Sequence, residues 1–488
     1  MSPVALSFLF YLIIILLVGF WSAKRTKTLP DFLLAGRKLG PWVVAFSERA
    51  SGESAWMLLG LTGLAYATGL GDPSGTKLEP ALWTGIGGIA GIIASWYLVA
   101  EKLRKESAEL GALTVPRYFE LKFRSKDPMI RYIATGIIAF CFTFYIAAQF
   151  DAAGKALSQT FGWGHWGGVL VGALIIVFYT LMGGFFAVAW TDFIQGWIML
   201  ATLVILPMVT FAHVGGLSGL ESNIATIDES GKLLTLTGGR DTWVLISGIL
   251  GGFGVGLGYV GQPHLISRYM SIRSVEDVKK SRIIAITWAV FAYSGAVFMG
   301  IVALAYFGPD NALFQNANGV FDAELMMPEL AKQMLPEWIA GILICGALAA
   351  MMSTADSQLL VTTSSVTEDI YHQEINPDAD QGKLVKLSRI VTLIIGISAI
   401  FLAQLPSSIF DKVLFAWGGL GAAFGPALVL ALRWKKATRN GTVAGMITGF
   451  LTVIIWDNFF GFVGLYSLVP GFILALIVNI VISLKENS

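Results

Sequence analysis

The sequence predicts an all-α polytopic membrane protein, and three observations predict it. Hydrophobic residues make up 55% of the 488-residue chain and charged ones 13%, with a mean hydropathy of +0.71. A soluble core does not need so much apolar sequence, whereas a chain that uses lipid as its solvent does. The apolar residues fall in runs long enough to cross roughly 30 Å of hydrocarbon as helices. The basic residues between the runs crowd onto alternate loops. Helices are expected because lipid offers the backbone no hydrogen-bond partners.

Polar interruptions mark off the runs as 3–22, 41–70, 80–100, 130–158, 164–189, 191–214, 242–262, 284–307, 338–366, 387–404, 410–433, 440–458 and 463–484, about thirteen spans. The first lacks a basic n-region and a small-residue cleavage site, and SAKRTKT follows it, a stop-transfer pattern. With the N-terminus outside, 26 of the 33 Lys and Arg lie on the inward side, among them Lys24, Arg25, Lys27, Arg268 and Lys485. Six lie outward, Lys77, Lys155, Lys232, Arg240, Lys332 and Lys412, and Arg49 is inside a span. This bias predicts a cytoplasmic C-terminus in the plasma (inner) membrane. The outward segments 215–241 and 308–337 are short, so one transmembrane domain over 1–488 is expected.

The second run carries SERASGESAW, with Glu48, Arg49 and Glu53 at its centre. Ionisable residues inside a span are costly and mark functional sites. Arg49 and Glu53 are i,i+4, so a mutual ion pair is one reading. Arg49 facing a substrate carboxylate, or Glu53 serving a cation site, are others. The seventh run reads GGFGVGLGYVGQP. Glycine costs about 1 kcal/mol per helical position and proline about 3, so this run either unwinds or packs closely against a neighbour. Interrupted helices in the second and seventh runs, five apart, suggest two repeats over 41–214 and 242–433, with 3–22 and 440–484 as additions. Such paired breaks point to a transporter site at the bilayer midplane.

The ninth run contains LAAMMSTADSQLL. Ser353 and Ser357 are i,i+4 and Asp356 is i+3 from Ser353, so these oxygens share roughly one face. Hydroxyl and carboxylate oxygens suit a hard cation. Net charge is +1, which implies no nucleic-acid partner. Cys141 and Cys345 lie in apolar runs and suggest neither disulfide nor metal site. His165, His213, His264 and His372 are scattered without metal-ligand spacing, so no enzyme is expected.

AGRKLGP, FYTLMGGFFAVAWTDFIQG, GLGYVGQPH, WIAGILICGALAAMMST, LLVTTSSVTEDIY and WGGLGAAFGPALVL resemble the sodium:solute symporter family, in its sodium/proline branch, over nearly the whole chain. The resemblance implies thirteen spans with the five-plus-five inverted repeat of the leucine-transporter fold and discontinuous second and seventh helices. It implies a Na⁺ site at the carbonyls of Ala50, Glu53 and Ala350 and the hydroxyls of Ser353 and Thr354. Asp192 matches an aspartate tied to cation coupling, and Asp356 and Ser357 hold the positions that complete a second cation site in some relatives. The substrate pocket would map to Tyr145, Tyr259 and Pro263, with Ser54 and Val255 as further lining positions.

This chain departs from the branch at three places. Gly52 replaces an aspartate and Glu53 stands one place later. Val255 replaces an aromatic wall residue, and Asp356 replaces what is commonly a serine. The implied activity is Na⁺-coupled import of a small organic solute, proline or a related amino acid first, by alternating access. Another carboxylate- or amine-bearing solute, proton coupling through Glu53, Asp192 or Asp356, and a channel or membrane sensor are the competing readings. The partners expected are the solute and the lipid bilayer, with no obligatory protein partner implied.

Overall fold

The apolar runs are helices throughout a computed structural model that describes residues 3–23, 28–73, 79–315, 319–405 and 408–488. Lys24, Arg25, Lys27 and Lys77 of the charge count lie outside the described residues. Eleven helices among the described residues are long and apolar enough to cross a membrane. The expected thirteen exceed that number by two, and the two have physical reasons. Segment 41–68 is divided into Pro41–Ala55, Trp56–Leu61 and Thr62–Thr68 and carries the charged centre. Run 164–189 continues into the next as a single element, His165–His213, whose one non-helical residue is Gly184 (φ 61°, ψ −173°). The division falls at Gly184 because a side chain rarely adopts that backbone, not at the 189/191 boundary expected.

The seventh run is also longer than expected. Thr242–Leu257 is a helix, Gly258–Gly261 tightens to a 3₁₀ turn, and Pro263–Ser271 resumes as a half-helix. Proline suits that restart, since the first turn of a helix has no use for its missing N–H. Arg268 therefore belongs to a buried half-helix and not to an inward loop.

Both expectations for the glycines of this run hold at different residues. A Cβ on Gly256 would lie 2.1 Å from the Gly87 carbonyl oxygen, and one on Gly91 2.0 Å from that of Gly256. Helices Ala81–Ser95 and Thr242–Leu257 thus touch backbone to backbone, the close approach small residues permit between membrane helices. Gly258 lies against the Trp417 indole, and Gly261 against the backbone of Gly421 and Gly425.

Burial sorts the helices by depth in the bundle. The apolar window of Pro3–Ser22 is 17% buried and that of Ile409–Arg433 is 89% buried, so the first lies at the rim and the second at the centre. Phe10, Leu17, Leu174, Phe178, Phe401 and Phe459 point outward, as expected of side chains solvated by lipid. The buried N-terminus of Ile409–Arg433 is met by Glu324, whose carboxylate accepts from the Ile409 and Phe410 amides at 3.2 and 3.1 Å. A carboxylate there satisfies amides that have no intrahelical partner.

The glycine contact gives a direct test. Gly256→Val should destabilise the protein by at least about 3 kcal/mol, beyond ordinary overpacking because its neighbour is backbone, whereas Gly136→Ala, which meets nothing within 4 Å, should be close to neutral. Thermal unfolding in detergent measures both.

Candidate functional site

The first broken helix turns at Ser54, which sits at φ 31° and ψ −167°. A serine held there is strained by about 1–3 kcal/mol, so neighbours must hold it. The Ser54 hydroxyl lies 3.4 Å from that of Tyr145 and accepts the Trp56 amide at 3.3 Å. The Ala55 amide donates to Gln149 Oε1 at 3.3 Å, and the Trp56 indole donates to the Gly52 carbonyl at 3.3 Å.

Facing this segment is helix Glu337–Ser364 with its hydroxyls. Ser353 Oγ lies 3.0 Å from the Ala50 carbonyl oxygen and 3.1 Å from that of Ala350. Thr354 Oγ1 donates to the Ser51 carbonyl at 3.0 Å. Ala50, Ala350 and Ser353 therefore converge, with Thr354 one carbonyl further along. The Glu53 carbonyl accepts the Trp56 amide. All these residues are buried. Carbonyl and hydroxyl oxygens converging from two helices are the donor set a hard cation takes.

The three charges of SERASGESAW form one fully buried cluster. Arg49 is paired on both sides, its Nε donating to Glu48 Oε2 at 2.5 Å, its Nη2 to Glu48 Oε1, and its Nη1 to Glu53 Oε1 at 2.5 Å. Trp96 and Tyr269 donate to Glu48 at 3.3 and 3.1 Å. Tyr259 and Tyr293 donate to Glu53 Oε2 at 2.8 and 2.9 Å. The Arg49 guanidinium also lies 5.2 Å from the Tyr259 ring centre, within cation–π range. The i,i+4 pair expected at Arg49 and Glu53 is present, with Glu48 as a second carboxylate partner. An Arg49 free to face a substrate carboxylate is not the arrangement found.

Asp192 lies at a second buried charge. Its Oδ2 accepts from Ser47 at 2.6 Å and from Arg268 Nη2 at 2.8 Å. Ser357 Oγ lies 3.1 Å from Ser51 Oγ and donates to the Ser353 carbonyl at 2.6 Å, so Ser353 and Ser357 do share a face. Asp356 Oδ1 accepts from Ser357 at 3.2 Å, while its Oδ2 has no partner. Sequence reasoning missed Arg268, Ser47 and Ser51 as site residues. The i,i+4 spacing of the two serines carried the signal.

The expected substrate residues divide. Tyr145 and Tyr259 flank Trp417, with ring centres 6.5 and 4.7 Å from it, and Ser54 lies against Tyr145. The Trp417 indole donates to the Val255 carbonyl at 2.9 Å. Trp417 thus lies against the Val255 backbone from another helix. Pro263 lines a cavity with Leu33, Thr114, Phe185, Ser267 and Ser364.

The remaining candidates do not assemble. Among the described residues no three His, Cys, Asp or Glu are placed to hold a metal ion. Cys141 and Cys345 are free and buried. His165 pairs with Asp151 and His372 with Glu368. His213 packs on Tyr306, and His264 on Phe142.

The sodium:solute symporter family profile matches residues 32–449, and the chain belongs to that family. It is 37% identical to the sodium/proline symporter of Escherichia coli (strain K12), over 99% of this chain and 93% of that protein. It is 38% identical to the high-affinity proline transporter PutP of Bacillus subtilis (strain 168), over 95% of this chain and 94% of that one. Among solved structures it resembles a Na⁺-coupled sialic acid symporter in a substrate-bound outward-open state (TM-score 0.81, 20% identity, 99% and 98% of the two chains). It also resembles MhsT in complex with L-phenylalanine (TM-score 0.55, 16% identity, 91% and 98%). These likenesses place the chain in the leucine-transporter fold.

The charge cluster predicts an asymmetric mutational response. Arg49→Met leaves two buried carboxylates without their cation and should cost about 3–5 kcal/mol. Glu53→Gln leaves the Arg49–Glu48 pair intact and should cost less. Adding Glu53→Gln to Arg49→Met should recover part of the loss, a coupling that thermal unfolding of the four proteins measures.

Proposed function

We propose that this member of the sodium:solute symporter family imports a small organic solute together with Na⁺ by alternating access, with proline or a related amino acid as the first candidate. The observation that carries this reading is the convergence of Ser353 with the carbonyls of Ala50 and Ala350 beside a helix broken at Ser54. Without an ion, the Ser353 hydroxyl gives its proton to carbonyl oxygens that a cation would use. With Na⁺ bound, the proton turns away and the lone pairs face the ion, so the ion ties the broken helix to Glu337–Ser364. Asp192, Asp356 and Ser357 form the further polar cluster tied to coupling.

The solute would bind where Tyr145 and Tyr259 flank Trp417 and Ser54 lies against Tyr145, beside Gln149, whose amide nitrogen is buried without a partner. Its contact with the Ser54 turn couples it to the ion, and by linkage each strengthens the other's binding by the same factor. A membrane potential of 100 mV adds about 2.3 kcal/mol per charge moved inward. The loop bias supports an outside N-terminus, a cytoplasmic C-terminus and the plasma membrane, and the two breaks support repeats over 41–214 and 242–433. Asp356 Oδ2, buried without a partner, favours proton coupling as the second reading.

Uptake into proteoliposomes tests this. Labelled proline should accumulate under an inward Na⁺ gradient and not under a K⁺ gradient. Ser353→Ala removes one oxygen facing a charge, worth about 1.5–3 kcal/mol, and should raise the Na⁺ concentration for half-maximal uptake roughly 10- to 100-fold. Uptake that follows a pH gradient and ignores Na⁺ would select the proton reading. A chain that neither accumulates proline nor shows competition by it carries another solute.

A further inference from the structure

We infer that the guanidinium of Arg268 is a built-in cation occupying the second cation position, so that the chain binds one Na⁺, at Ser353, and not two. The inference rests on the Na⁺-coupled reading above and narrows it.

Arg268 Nη2 lies 2.8 Å from Asp192 Oδ2, 2.6 Å from Ser51 Oγ and 2.5 Å from Ser357 Oγ. These oxygens come from three helices, Pro41–Ala55, His165–His213 and Glu337–Ser364, and they surround one nitrogen as ligands would surround an ion. The rest of the fork is also held, Nε at 2.9 Å from Ser47 Oγ and Nη1 at 2.6 Å from the His264 carbonyl. Phe185 lies 5.4 Å from the guanidinium carbon, a cation–π contact on the same group. Arg268 and Asp192 are both fully buried.

A mobile cation seated on Asp192 Oδ2, Ser51 and Ser357 from the same side would have to displace that nitrogen. The charge it would bring is already there, since a guanidinium stays protonated in proteins. Arg268 makes no hydrogen bond to Asp356, whose Oδ1 is on Ser357, and Asp356 Oδ2 and Asp192 Oδ1, both buried without a partner, stay outside the set of oxygens that the guanidinium takes. The Ser353 position differs. Its oxygens bond to one another with no cationic side chain among their partners. Arg268 rises from Pro263–Ser271, so the second broken helix carries its own cation into the contact that the first broken helix makes with Glu337–Ser364.

The test counts ²²Na⁺ bound per polypeptide on the purified full-length protein. Wild type should bind one, and Ser353→Ala should weaken it at least tenfold. Arg268→Met, which keeps length and removes charge, should expose the Asp192 oxygens and raise the count to two. Adding Asp192→Asn to Arg268→Met should return it to one. Two ions on wild type overturn the inference, as does one ion that survives Ser353→Ala but is lost in Asp192→Asn. A folded Arg268→Met that still binds one also overturns it. If Arg268→Met does not fold, the wild-type count and the Ser353→Ala and Asp192→Asn comparison decide alone. No bound ion on wild type overturns the sodium reading itself, and the inference with it.

Discussion

A charge at bilayer depth must find its opposite within hydrogen-bond distance, and the centre of this molecule is arranged around that requirement. Three of four buried carboxylates, Glu48, Glu53 and Asp192, pair with two buried guanidiniums, Arg49 and Arg268, while Asp356 accepts only from Ser357. Arg49 holds Glu48 and Glu53 on one side of Pro41–Ala55. Arg268 binds Ser47, Ser51 and Asp192 on another. The tyrosines and tryptophan that complete the first cluster come from the second broken helix and its neighbours, as does Arg268. Each broken helix is therefore bonded to the other through charge, and neither can move without the groups that neutralise it.

That arrangement leaves the convergence at Ser353 free of fixed charge. Its carbonyls and hydroxyls are satisfied by each other at 3.0–3.1 Å, so an ion entering there exchanges neutral hydrogen bonds for ion–dipole contacts. Broken helices allow this because their freed carbonyls point into the bundle and not along an intact helix. The Ser54 turn lies within the same stretch and contacts Tyr145, which joins the ion position to the aromatic surface around Trp417. With the ion and solute at the proposed positions, their coupling would run through shared backbone at Ala50–Ala55.

Much of this was legible in the sequence where the signal is local. The glycines of GGFGVGLGYVGQP marked the second break because helix propensity falls residue by residue. The i,i+4 spacing of Arg49 and Glu53 marked their pair, and that of Ser353 and Ser357 marked a shared face. What was not legible depends on distant partners. Arg268 read as a loop cation because it lies beyond the apolar run that ends at 262, and only Asp192, 76 positions away, reveals it as buried. Gly184 read as an ordinary span residue because its backbone angles leave no mark in hydropathy. The contact of Trp417 with the Val255 backbone could not be seen, since the two meet only across helices. Pro263, grouped with Tyr145 and Tyr259 by resemblance, lines a cavity with Thr114, Phe185 and Ser364, partners distant in the chain.

The proposed sites divide the labour, with fixed guanidiniums pairing Glu48, Glu53 and Asp192 and neutral oxygens at Ser353 receiving the mobile ion. A high-resolution experimental map of the protein in Na⁺ and proline tests this division. Ion density is expected between Ser353 and the carbonyls of Ala50 and Ala350, with Arg268 still seated on Asp192, Ser51 and Ser357. Ion density at Asp192 with the Arg268 side chain displaced would contradict it.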